Sequence, residues 1–160
     1  MTELIDTLQA ILSAQTGSGL ELEGLNIILH ENAGLKSDGL VIRREREDVI
    51  SQAQKFKAVQ GRVGLTVMMI IDKRSGSALE YQEKEDQAEV WARKVEKVIM
   101  ANPGLALDPE YSNGFTQRIE LTEISSKEYG TVEDQAGWWI FCKMILNVQY
   151  FYRNGTIARS

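Results

Sequence analysis

The stretch GWWIFCKMILNVQYFYR, residues 137–153, constrains this chain more than any other part of it. Every second position from Trp138 is apolar: Ile140, Cys142, Met144, Leu146, Val148, Tyr150 and Tyr152 follow without a break. The other parity reads Trp139, Phe141, Lys143, Ile145, Asn147, Gln149, Phe151 and Arg153, apolar first and mixed later. A period of two with Lys and Asn inside the run predicts a strand, because a membrane helix needs about 20 mostly apolar residues. At roughly 3.3 Å per residue the strand is about 50 Å long. A compact domain of this size has a radius of gyration of about 15 Å, so the strand bends or part of it projects. At its start both faces are apolar and both need cover, from the chain's own helices or from another subunit. Trp138 and Ile140 are therefore expected in the core, and Trp139 and Phe141 are candidates for a subunit contact.

Two helices can supply the cover. Leu4, Ile5, Leu8, Ile11 and Leu12 share one face of a helix over 3–14, with Thr2 placed as N-cap and Glu3 favourable in the first turn. From Glu85 to Ala101, Ala88, Trp91, Ala92, Val95, Val98 and Ile99 recur at spacings of three and four, and the Asn-Pro-Gly at 102–104 ends the run. Trp91, Val95 and Val98 are expected to pack on Trp138 and Ile140. Leu25, Ile27 and Leu29 alternate as a strand does, and the β-branched apolar run 63–72 reads as a central strand. LVIRRERED (40–48) starts as a strand and turns into alternating charge. ISQAQKFKAVQGR (50–62) reads equally as loop or edge strand, and FTQRIELTEIS (115–125) as a weakly alternating strand. KEYGTVEDQAG (127–137) is expected to connect that strand to the last one. These elements predict one α+β domain over 1–160: a mostly antiparallel sheet with two principal helices on one side.

The length of 160 residues allows a sizeable core without metals or disulfides. The formal net charge of −5 argues against a general nucleic-acid binder, which shows a basic face. A single cysteine cannot form an internal disulfide, so no oxidising compartment is implied. The first fifteen residues carry acids and lack the basic and continuous apolar regions of a signal peptide. A soluble, cytoplasmic-type protein with no membrane partner is expected.

Catalytic signatures do not emerge. His30 is the only histidine and stands without a GxSxG elbow or a cysteine motif. Cys142 lies inside the apolar strand face, where a buried thiol is inert. One Cys and one His cannot build a zinc site. The acids Glu80, Glu83, Glu85 and Asp86 sit near a helix start, which the helix dipole explains. Neither GxxxxGK[ST] nor a GxGxxG after a strand is present, so no cofactor is expected. One cluster stands out: Arg43, Arg44, Arg46, Lys55, Lys57 and Arg62, interleaved with Glu45, Glu47 and Asp48. It is either a solvated edge strand kept from aggregating by its charges or a charged subunit interface.

The order of elements resembles that of the tail terminator proteins of tailed bacteriophages and of neighbouring neck proteins. The residues that carry the resemblance are EDQAEVWARKVEKVIMANPGL (85–105) as the helix packed on the sheet, QRIELTEISSKEYG (117–130) as the following strand, and GWWIFCKMILNVQYFYR as the closing strand. The resemblance implies a non-enzymatic virion protein of the tail or neck, found in the host cytoplasm during assembly. It implies a homohexameric ring that caps the tail tube protein, stops tail polymerisation and joins a head-side connector; a tail sheath is a further partner it allows. DNA would pass through without specific binding, and an acidic chain suits such a conduit. Another head–tail connector or tail component is the nearest alternative. A small α+β protein-binding module is the alternative from a different class.

Overall fold

The computed structural model describes residues 2–29, 38–52, 56–72, 77–102, 118–133 and 137–153. The elements are α1 (Thr2–Ser13), β1 (Ile27–Leu29), β2 (Gly39–Gln52), β3 (Phe56–Asp72), α2 (Ala78–Met100), β4 (Arg118–Glu133) and β5 (Gly137–Arg153). The five strands form one sheet in the order β1-β2-β3-β5-β4. Only the short β1–β2 pair is parallel; β2–β3, β3–β5 and β5–β4 are antiparallel. The fold is α+β.

Strand parity decides where the core lies. Val59, Val63, Leu65, Val67, Met69 and Ile71 of β3 and Ile140, Cys142, Met144, Leu146, Val148 and Tyr150 of β5 are buried in one cluster. Cross-strand partners share a face, and the register pairs these two sets with each other, Leu65 with Met144 and Val67 with Cys142. The helices complete the cluster with Leu4, Ile5, Leu8 and Leu12 of α1 and Ala88, Ala92, Val95, Val98 and Ile99 of α2. Small Ala88 and Ala92 let the α2 backbone come close to the sheet, and the larger residues lock its second half. Ser77 caps α2 by accepting the Glu80 N–H at 3.2 Å, and Asn102 closes it by donating from Nδ2 to the Val98 carbonyl at 2.8 Å. Asp38, just before β2, ties three elements together. Its carboxylate accepts the Ile70 N–H at 2.8 Å and the Lys84 ammonium at 2.7 Å.

Several expectations need correction. Trp138, expected in the core, is 42% exposed, whereas Ile140 two residues on is buried. Trp138 has the core parity but sits next to the last row of the sheet, paired with buried Ile71 on one side and with exposed Glu133 of the edge strand on the other. Trp139, expected at a subunit contact, is only 4% exposed and belongs to the opposite face. Trp91 is partly buried against the core, and Lys94 Nζ lies 5.1 Å from its ring centroid. Helix α2 begins at Ala78, a turn and more before Glu85. Residues 127–133 continue β4 instead of forming a connection, and 50–62 is mostly strand. His30 lies outside the described residues.

Candidate interaction surface

The core cluster uses one face of the sheet, and both helices lie on that side. The other face carries no helix among the described residues. Traced across β2, β3, β5 and β4, its rows read Gly39–Met68–Phe141–Gly130, Val41–Thr66–Lys143–Glu128, Arg43–Gly64–Ile145–Ser126 and Arg46–Arg62–Asn147–Glu123. An apolar half thus passes into a charged half along the strands.

Phe141 marks the apolar half. A Cβ on Gly130 would lie 2.6 Å from the Phe141 ring, so the ring lies flat over the glycine of the neighbouring strand. The glycine there is a seat for the aromatic, since no side chain fits beneath it. Trp139 is flanked on this face by Ile70 and by Val132, which is 49% exposed. In the charged half, Lys143 pairs with Glu45 at 3.0 Å, and the Glu45 side chain fills the space over Gly64. Asn147 is buried between Arg62 and Glu123, and among the described residues no group donates to its Oδ1.

The predicted charged cluster is brought together only in part. Arg43, Arg44 and Arg46 are exposed on β2, and Arg62 is exposed on β3 opposite Arg46. The Arg46 guanidinium donates to Asp48 at 2.9 Å. Arg44 falls on the core parity, opposite Val63, so it does not share a face with Arg43. Lys57 is a β3 residue paired with Gln52 and Tyr152, and Lys55 lies outside the described residues. Sequence reasoning missed the acids that match these arginines. Glu123 and Glu128 are exposed on the same face at the far edge of the sheet. Five residues apart, they fall on opposite parities of a regular strand, and only the irregularity between Ile124 and Ser126 puts them on one face, so the sequence carried no signal for them.

The helix side offers two open depressions. One, at the end of α2, is lined by Gln15, Glu21, Lys97, Val98, Ala101 and Asn102, with Lys97 Nζ 3.3 Å from Glu21. The other lies between α2 and β4, where the Tyr81 and Thr131 hydroxyls are hydrogen-bonded to each other and Glu85 and Tyr129 complete the wall. Beside it, the hydrogen bond to Glu96 raises the Lys127 pKa, and burial pushes the Cys142 thiol up, away from the reactive thiolate. Among the described residues no group of three Cys, His, Asp or Glu side chains could hold a metal ion. Nor is any described helix long and apolar enough to cross a membrane. No protein-family model matches this chain, and no curated protein matches it.

Proposed function

We propose that this chain is a structural virion protein that caps a phage tail tube as a homohexameric ring, ending tail polymerisation and offering the surface to which the head joins. The observation that carries the reading is the sheet itself. Strands of 14 to 17 residues are covered by helices on one face and left open on the other among the described residues. An antiparallel sheet can leave one face to solvent; a ring has a bore, an outer wall and two subunit contacts to build, and an open face with an apolar half can supply one of them. The net charge of −5 supports a bore that DNA traverses without being gripped. The chain's work in this reading is non-enzymatic. The pattern of elements seen in the sequence supports a tail terminator or a neighbouring neck protein.

The test is the mass of the purified protein by native mass spectrometry, together with tail lengths in lysates that lack it. Six copies per particle and overgrown tails are the expected results. A strictly monomeric protein whose loss leaves tails at normal length overturns the reading and favours the small binding module.

A further inference from the structure

The open face ends in two long sheet edges. On one side β1 covers only Leu40–Ile42 of β2, so from Arg43 to Gln52 the outer edge of β2 has no strand partner among the described residues. On the other side, among the described residues, β4 pairs only with β5. Long open edges invite another strand, and natural proteins rarely leave them without a purpose.

Three features relate these edges to each other. The first is polarity. Each of the three steps from β2 to β4 is antiparallel, so β4 runs opposite to β2. Two copies laid side by side in the same orientation bring β4 of one against β2 of the other as an antiparallel pair, continuing the pattern of the sheet. The second is shape. β2 has irregularities between Arg44 and Arg46 and between Val49 and Ser51, and β4 has them between Ile124 and Ser126 and between Ile119 and Leu121. Followed through β3 and β5, each irregularity on β2 lies within one row of one on β4. Bulges bend a strand and increase its twist, so the two edges bend at matching heights. The third is charge. On the open face the β2 edge presents Arg43 and Arg46 beside Glu45, which is held by Lys143, and Asp48, which is held by Arg46; the β4 edge presents Glu123 on the Arg46 row.

We propose that copies of this chain join edge to edge, the Arg118–Ser126 part of β4 of one copy adding to β2 of the next beyond its β1-covered start, with Glu123 set opposite Arg46 and Ser126 level with Arg43. The inference rests on the ring reading above and specifies its subunit contact. Main-chain hydrogen bonds supply the attraction, as in strand addition generally, and the charges fix register and exclude β2–β2 and β4–β4 pairing. The contact is heterologous, because different edges meet, so repeating it closes a ring or runs on as a filament. The Arg46–Asp48 pair is exposed and weak, so Arg46 exchanges partners at little cost.

The experiment uses the full chain in two forms. In the first, Arg46→Cys and Glu123→Cys are combined. Within one copy these positions are three strand spacings apart, about 14 Å, too far for a disulfide. Between copies they face each other. Mild oxidation is expected to give a ladder of covalent oligomers on a denaturing gel, reversed by reductant. In the second, Glu123→Arg, which sets two arginines opposite each other, is expected to weaken self-association severalfold, and adding Arg46→Glu in the same chain is expected to restore it. An oligomer that survives the reversal and forms no ladder overturns edge pairing while leaving the ring reading intact; the charges then serve only as edge protection. A chain that is monomeric before any substitution fails the ring reading, and edge pairing falls with it.

Discussion

Ile140 and Ile145 lie five residues apart on β5, on opposite faces of the sheet, and truncating each to alanine isolates what the helices contribute. Ile140 is 2% exposed in the core cluster, between Met69 on β3 and Thr131 on β4. Ile140→Ala removes three buried carbons, worth about 0.8 kcal/mol each by transfer. It also leaves a void that the packed helix cannot collapse into, which brings the expected loss to about 3–4 kcal/mol. Ile145 is half-buried on the open face, between Gly64 and Ser126. Ile145→Ala removes the same atoms, but they are only partly withdrawn from water, and solvent or the Glu45 and Lys143 side chains can occupy the space. A loss of about 1 kcal/mol is expected. Urea titration at low protein concentration, followed by tryptophan fluorescence, measures both. Equal losses would refute the reasoning that the two described helices cover one face of the sheet and not the other. So would a loss below about 1 kcal/mol for Ile140→Ala.

Asp38→Ala removes the acceptor shared by the Ile70 N–H and the Lys84 ammonium, and an expected loss of about 1.5–3 kcal/mol should appear in the same titration. Lys84→Met, which leaves the Asp38–Ile70 bond in place, should cost less; the reverse order would show that the ion pair dominates. The Cys142 thiol titrates above its ordinary value of 9.0, chiefly because it is buried. Its neutral form is therefore favoured in the folded state, so its contribution is complete below pH about 9 and is lost as pH rises through the elevated pKa. Cys142→Ala should flatten that alkaline decline in stability, and an unchanged slope would assign the decline to other groups. Fluorescence anisotropy with a short DNA duplex is expected to show weak binding that vanishes as salt approaches physiological strength. Tight, salt-resistant binding by the assembled protein would contradict a passive conduit.

The alternation along 137–153 determined β5 and its buried parity from Ile140 onwards, because a strand buried between neighbours must repeat every two residues whatever surrounds it. Helix α2 was legible for the same reason at a period of 3.6, though its first turn was not. Ala78–Lys84 is polar or exposed over most of its length, and the Ser77 cap marks its start more clearly than any apolar spacing does. The charged stretch 43–48 carries no apolar period, so its sequence left open how far the strand begun at Leu40 runs; β3 continues it by pairing its backbone. The ends of the two tryptophans' strand depended wholly on the tertiary structure. Trp138 has the core parity and is exposed, although its row partner Ile71 is buried, while Trp139 is buried on the face that carries no helix among the described residues. Edges are also a property of the assembled sheet. A strand is an edge only by what fails to pair with it, and Arg46 and Glu123, far apart in sequence, share a row only because β3 and β5 stand between them.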